Sequence, residues 1–137
     1  VLCGYPEQLE FLQTLPEDSF TEFGGKKKIL NRFLEVAKVT ADFYLRETPT
    51  DGIPYWDTGA PGLVHLGDYR DRPADPFNYH EPVDSSAAAI AAQGLLRLGK
   101  YLKNKRYWQA GLTVLDTLLD EPYLSTGKHQ GLLLHSV

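Results

Sequence analysis

The stretch DSSAAAIAAQGLLRLGKYLKNKRYWQAGLTVLDTLLD, residues 84–120, predicts two successive helices and decides the fold class. The first begins after Asp84 and ends near Lys103. Its alanine-rich half, residues 87–92, has no polar side chain, which predicts burial on every side. The second spans about Lys105 to Asp120. Apolar residues at helical spacing are expected to face inward, namely Tyr107, Trp108, Leu112, Leu115 and Leu119.

Two more helices are predicted closer to the N-terminus. In the first, Pro6 suits the opening turn, and Pro16 ends the helix after Leu9, Leu12 and Leu15. Residues 16–28 are polar and contain a Gly-Gly pair and three lysines, so an exposed loop is expected there. The second helix is expected over residues 29–46, with apolar side chains along one face.

The second and fourth helices resemble each other in sequence. Arg32 corresponds to Arg106 and Asp42 to Asp116, and both pairs are 74 residues apart. Helices that recur at a fixed offset indicate a repeat of helical hairpins. Chance similarity between two amphipathic helices is the alternative. Both interpretations predict an all-α fold.

The long segment between these helices, residues 48–83, has neither a helical nor a strand period. A stretch of this length inside a compact domain is usually functional. It contains DGIPYWDTGAPG at 51–62, where Tyr55 and Trp56 precede Asp57. Aromatic faces beside a hydrogen-bond acceptor match the mixed apolar and hydroxyl surface of a carbohydrate. Alternatively, Trp56 anchors the loop on the core and Asp57 caps a turn.

Three further residues are candidates for contact with a ligand. Asp84 and Ser85 precede the alanine-rich helix, where they either cap the helix or place its N-terminus against a substrate carboxylate. His135 lies in an apolar run, where a histidine belongs to the core more often than it acts as a catalyst. None of the four histidines is paired at metal-ligand spacing, so no metal site is predicted.

Composition excludes several classes of function. The 14 Lys and Arg against 18 Asp and Glu give a net charge of -4, which argues against nucleic-acid and anionic-membrane partners. No phosphate-binding loop or nucleophile motif is present. Cytoplasmic and secreted locations both stay open. The absence of methionine and the apolar ends suggest a domain truncated at both ends.

Three motifs together resemble a known family. They are DGIPYWD at 51–57 followed by Ala60 and Pro61, EPVDSSAAAIAA at 81–92, and KHQGLLLHS at 128–136. In this order and spacing they are similar to the C-terminal third of unsaturated glucuronyl hydrolases, over about residues 33–137. The resemblance implies an (α/α)6 toroid of six helical hairpins, of which residues 1–137 form a part.

The resemblance also implies an activity. In the family, an aspartic acid protonates the C4=C5 double bond of an unsaturated uronic acid, water adds, and the neighbouring sugar is released. No metal or organic cofactor is implied. The family's catalytic aspartates lie upstream of the matched part, so no catalytic residue is expected here. The implied substrate-binding residues are Tyr55, Trp56, Asp57, Asp84, Ser85 and His135.

Two other functions stay open at this point. One is a helical-hairpin module that binds carbohydrate or acts as a scaffold without catalysis. The other is a different toroid glycosidase, such as an unsaturated rhamnogalacturonyl hydrolase. The expected ligand is an unsaturated uronyl oligosaccharide. Exposed apolar faces on the first and fourth helices are expected to drive dimerisation or docking onto the rest of a toroid.

Overall fold

Four α-helices, together with three short 3₁₀ helices, account for most of the chain in the computed structural model, which describes residues 1–127 and 131–137. The α-helices are α1 (Gly4–Thr14), α2 (Lys26–Glu47), α3 (Ser85–Leu102) and α4 (Lys105–Leu118). Short 3₁₀ helices span Glu17–Phe23, Pro61–Leu66 and Tyr69–Asp71. The described residues form no strand beyond two isolated antiparallel bridges, Tyr55 with Val83 and Leu124 with Leu133. The all-α prediction is confirmed, whereas the toroid stays a prediction.

The α3–α4 hairpin is the most closely packed part of the fold. A Cβ atom on Gly99 of α3 would lie 2.6 Å from the backbone nitrogen of Trp108 on α4. Gly111 on α4 similarly approaches Leu96, whose Cγ would lie 2.7 Å from an added Cβ. Glycine permits this approach because it has no side chain. The Asn104 side chain caps α4 by accepting from two backbone N–H groups of its first turn.

Polar contacts tie α1 and α2 to this hairpin. Arg97 on α3 forms ion pairs with Glu7 and Glu10 on α1. Asp42 on α2 accepts hydrogen bonds from Arg106 at 2.8 Å and from the Tyr107 hydroxyl at 3.0 Å. The buried apolar residues form one core cluster that includes members from all four helices. No helix in the described part of the chain is long and apolar enough to cross a membrane.

The structure corrects the predicted loop over residues 16–28. A 3₁₀ helix forms at Glu17–Phe23, and α2 begins at Lys26 rather than at residue 29. Phe20 is buried, so this turn contributes an apolar side chain to the interior. Gly24 ends the 3₁₀ helix with φ 86°, a conformation that favours glycine. The Gly-Gly pair therefore separates two helices instead of marking an extended loop.

The predicted inward face of α4 is also partly wrong. Trp108, Leu112 and Leu119 are exposed, although Tyr107 is buried and Leu115 is half-buried. The buried face instead contains Tyr107, Gly111, Val114 and Leu118. Both sets recur at three- and four-residue spacing, so periodicity fits either face. In α3, the expectation of burial on every side over residues 87–92 is wrong for Ile90, which is exposed.

Candidate functional site

Polar side chains help to hold residues 48–83 in place, in addition to two short 3₁₀ helices and the buried apolar residues of the segment. The two carboxylate oxygens of Asp51 accept the backbone N–H groups of Ile53 at 3.2 Å and Ala74 at 3.0 Å. The Tyr44 hydroxyl donates to the Gly52 carbonyl at 2.6 Å, which joins the segment to α2. Burial raises the pKa of the Asp51 carboxyl, and the backbone hydrogen bonds only partly oppose this effect.

One turn within the segment is organised around a single amide side chain. We call residues 75–81 the Asn78 turn. The Asn78 Nδ2 group donates to the carbonyls of Asp75 at 2.6 Å and Glu81 at 2.8 Å. Its Oδ1 atom accepts from the N–H groups of His80 and Glu81, both at 2.9 Å. The Asp75 carboxylate accepts the N–H of Phe77 at 2.9 Å. These bonds fix the path of the turn.

Glu81 links the Asn78 turn to Trp56. This residue is only 7% exposed, and its Oε2 atom accepts the Trp56 indole N–H at 2.6 Å. Its Oε1 atom accepts the N–H of Gly62 at 2.5 Å. The Trp56 backbone N–H also donates to the Pro82 carbonyl at 3.0 Å. The indole is thereby oriented from its polar edge, while 47% of the Trp56 surface stays exposed.

The two neighbours of Trp56 have different environments. Asp57 is exposed, and its Oδ1 atom accepts the N–H of Gly59 at 2.7 Å, which caps a turn. Tyr55 is buried, and its ring packs edge-on against Tyr69 with centroids 5.4 Å apart. Burial raises the pKa of the Tyr55 hydroxyl. Of the three, Trp56 and Asp57 reach the surface.

The first turn of α3 is bonded both to its own N-cap residue and to residues near the C-terminal end of the chain. Asp84 accepts the N–H groups of Ser86 at 3.0 Å and Ala87 at 3.1 Å, so it is the N-cap. Ser85 is fully buried, and its hydroxyl donates to the Leu134 carbonyl at 2.6 Å. The Ser85 N–H donates to the His135 carbonyl at 3.0 Å. Residues 131–137 are thus docked against the first turn of α3.

His135 is half-buried beside the Asn78 turn. Its ring packs edge-on against Phe77, with centroids 5.2 Å apart, and against Tyr123, with centroids 5.9 Å apart. On the other side of the turn, the rings of His80 and His65 lie 5.0 Å apart. The first three residues of the KHQGLLLHS motif, 128–130, lie outside the described residues.

The Asn78 turn therefore connects several residues singled out from sequence. It reaches Trp56 through Glu81 and His135 through Phe77, and the chain runs directly from it to Asp84. Phe77 and Tyr79 are 67% and 101% exposed, and neither was predicted as a site residue. Asn78 and Glu81 were also missed. The available signal was the run DPFNYHE at 75–81, where turn-forming residues alternate with aromatic ones.

The site is an open surface rather than an enclosed pocket. A cavity of about 50 Å³ lies behind the segment, lined in part by Tyr44, Tyr55, Asp57 and Tyr69. In residues 1–127 and 131–137, no group of three or more His, Cys, Asp or Glu side chains is placed to hold a metal ion.

Comparison with known proteins identifies two relatives. The chain is 36% identical over 95 residues to an unsaturated glucuronyl hydrolase of Formosa agariphila, a match that covers 68% of this chain and 20% of the relative. It is 34% identical over 92 residues to an unsaturated glucuronyl hydrolase of Bacillus sp. strain GL1, covering 64% and 20%.

These matches are partial. The chain spans about a fifth of the length of the curated relatives it matches. No family model matches the chain, and no solved structure matches it. Over about two thirds of its length, the chain is similar to unsaturated glucuronyl hydrolases, which confirms the resemblance drawn from its three motifs.

Proposed function

We propose that the chain is part of a glycoside hydrolase that acts on oligosaccharides ending in an unsaturated uronic acid, by hydration of the C4=C5 double bond. The similarity to two proteins named unsaturated glucuronyl hydrolase carries this proposal. The exposed Trp56, held in place next to Asp57, supports it, because a fixed aromatic surface beside a carboxylate suits a sugar ring. In this proposal, residues 1–137 form part of an (α/α)6 toroid.

The proposal places the catalytic acids outside this chain. Protonation of the double bond needs a carboxylic acid that is available to the substrate. Asp57 and Asp84 already accept backbone N–H groups as turn and helix caps. Asp51 has a raised pKa, but both of its oxygens accept backbone N–H groups. These occupied carboxylates support a binding role, rather than a catalytic role, for this part of the protein.

The six proposed substrate-binding residues divide by burial. Trp56, Asp57 and His135 reach the surface, so in the proposal they contact the sugar directly. Tyr55 and Ser85 are buried, and we assign them an indirect role: they hold the segments that carry Trp56 and His135. Asp84 fixes the start of α3 between these segments. This division makes Trp56 the most informative residue to test.

The two tryptophans of the chain allow a matched binding experiment. In Trp108→Phe, Trp56 is the single tryptophan, and in Trp56→Phe, Trp108 is the single tryptophan. Titration of Trp108→Phe with an unsaturated hyaluronan disaccharide should change tryptophan fluorescence to saturation, whereas Trp56→Phe should show no such change. A saturated disaccharide serves as the specificity control. If neither variant responds and calorimetry on the wild-type chain detects no binding, the proposal is wrong.

A carbohydrate-binding module without catalysis is the second candidate, and the cap roles of Asp57 and Asp84 favour it. The ultraviolet absorbance of the double bond separates the two candidates when measured with this chain and with any longer protein that contains it. The hydrolase proposal expects absorbance to fall with the longer protein and not with this chain alone. Binding without activity in either form supports the module. Activity of the chain itself makes Asp57 and Asp84 the first catalytic candidates.

A further inference from the structure

We propose that His65 and His80 together bind a zinc ion, which joins the 3₁₀ helix Pro61–Leu66 to the Asn78 turn. The two histidines are far apart in the sequence, so no local spacing predicts that they meet. Both are exposed, and the fold places their rings side by side. Neither is among the proposed substrate-binding residues, so the inference does not depend on the proposed function.

The distance between the two rings fits a shared metal ion. Zinc binds an imidazole nitrogen at about 2.0–2.1 Å and therefore lies about 3.2 Å from the centre of the ring. Two imidazoles at the tetrahedral angle around one zinc ion then have ring centres about 5 Å apart. The ring centroids of His65 and His80 are 5.0 Å apart. Rotation of either ring about its Cβ–Cγ bond, a soft torsion, turns a nitrogen towards the ion and leaves the centroid nearly in place.

The backbone explains why the two rings meet. Gly62, in the 3₁₀ helix, lies directly against the Asn78 turn, because a Cβ atom added to it would be 2.8 Å from the His80 carbonyl oxygen. A 3₁₀ helix has about three residues per turn, so side chains at positions i and i+3 lie on the same side of it. His65 follows Gly62 at this spacing and therefore faces the turn that carries His80.

Both histidines are attached to backbone that hydrogen bonds hold in place. The His80 N–H donates to the Asn78 Oδ1 atom at 2.9 Å. The Gly62 N–H donates to the buried Glu81 carboxylate at 2.5 Å, which joins the helix of His65 to the residue that follows His80. A preorganised pair of metal ligands loses less conformational entropy on binding an ion than a mobile pair does.

The imidazole nitrogens select the class of ion. Zn²⁺, Cu²⁺ and Ni²⁺ bind imidazole well, whereas Mg²⁺ and Ca²⁺ prefer oxygen atoms. The two rings supply two nitrogens, and their exposure lets water occupy the remaining positions around the ion. The net charge of -4 favours a cation over an anion at this surface. Zinc is the most suitable probe, because it has no redox chemistry.

Calorimetric titration of the 137-residue chain with zinc chloride tests the site. Wild type should bind one zinc ion per chain, and magnesium chloride should give no binding. His65→Ala and His80→Ala should each weaken zinc binding by at least about tenfold, since even the loss of a residue behind a metal ligand has an effect of that size. Both positions are exposed, so circular dichroism should show an unchanged fold.

Val64→Ala and Tyr79→Ala are the matched controls, because these exposed residues adjoin His65 and His80 and both rings stay in place. Their zinc affinities should equal that of wild type. Zinc should also raise the urea midpoint of wild type and of both controls, but not that of either histidine variant. The inference is overturned if wild type binds no zinc, or if either histidine variant keeps wild-type affinity, which would place the ion elsewhere.

Discussion

The α3–α4 hairpin and the irregular segment of residues 48–83 share one apolar core, but the segment depends on polar side chains as well. The hairpin depends on close backbone packing at Gly99 and Gly111, together with buried apolar side chains. The segment also contributes buried apolar residues to this core, among them Ile53 and Val83. In addition it depends on polar side chains that each satisfy two or more partners, chiefly Asp51, Asn78 and Glu81. A segment without regular structure must satisfy its backbone groups by side chains or water.

This difference determines what a substitution changes. A change in the hairpin alters the packed core and therefore the free energy of unfolding of the whole chain. A change at Glu81 or Asn78 acts on the segment that presents Trp56. The candidate site can thus be perturbed without unfolding the helices.

Gly99→Ala is expected to have the largest effect. The added Cβ atom would lie 2.6 Å from the Trp108 backbone nitrogen, which cannot move without displacing α4. Overpacking against backbone should lower the free energy of unfolding by about 3 kcal/mol or more. Urea unfolding followed by circular dichroism measures it. The control is Gly4→Ala, where an added Cβ meets nothing within 4 Å. Equal free energies of unfolding for Gly99→Ala and Gly4→Ala would contradict this prediction, because α3 and α4 would then be able to move apart without loss of stability.

Glu81→Gln should destabilise less but affect the site more. Glutamine keeps the shape but replaces one acceptor oxygen with a donor, so either the Trp56 indole or the Gly62 N–H loses its partner. The free energy of unfolding should fall by about 2 kcal/mol. In a Trp108→Phe background, where Trp56 is the single tryptophan, the fluorescence of Trp56 should also change. Glu35→Gln, at an exposed position on α2, is the control. Unchanged fluorescence and stability would mean that Glu81 does not hold the indole.

Asp51→Asn should have a pH-dependent effect. Burial raises the pKa of Asp51, so the folded state binds its proton more tightly than the unfolded state does. Proton binding by Asp51 therefore stabilises the folded state most at a pH below the ordinary carboxyl pKa. This stabilisation is lost as the pH rises through the raised pKa of the folded state. The variant lacks this titration. At neutral pH the free energy of unfolding of the variant should be about 1 kcal/mol lower than that of wild type. This difference should grow in acid. Urea midpoints at several pH values measure this, and a constant deficit would contradict the assignment.

The smallest effect on stability is expected at the exposed apolar face of α4. Trp108, Leu112 and Leu119 contribute little to the core, so Leu112→Lys should change the free energy of unfolding by less than about 0.5 kcal/mol. The same change should prevent dimerisation through this face, because a charge replaces an apolar contact. Sedimentation velocity should show a dimer for wild type and a monomer for the variant. A monomeric wild type would contradict the predicted association.

The helices could be predicted from sequence better than their orientation. Apolar periodicity placed all four helices, but two apolar faces on α4 have the same period, and only packing against α3 selects the one with Gly111. Phe20 was missed because two aromatic residues, Phe20 and Phe23, in an otherwise polar stretch do not establish a period. Its burial is visible only in the structure.

The candidate site could be predicted only in part for a related reason. Trp56 and Asp57 stand out locally, as an aromatic residue beside a carboxylate. Glu81 does not, because its role depends on partners 25 and 19 residues away in sequence. Local patterns contain no information about such distant contacts. In the Asn78 turn, turn-forming residues alternate with aromatic ones, and this local pattern predicts a turn. It does not predict which side chains the turn exposes.

In the proposed function, the segment that carries Trp56 contacts an unsaturated uronyl sugar, and the helical hairpin does not. The chain has two tryptophans, so a ¹H–¹⁵N spectrum contains two indole N–H signals, one from Trp56 and one from Trp108 on α4. Assignment follows from the two Trp→Phe variants. On titration with the unsaturated hyaluronan disaccharide, the Trp56 signal should shift to saturation while the Trp108 signal stays fixed. A shift of the Trp108 signal alone, or of neither signal, would contradict the claim.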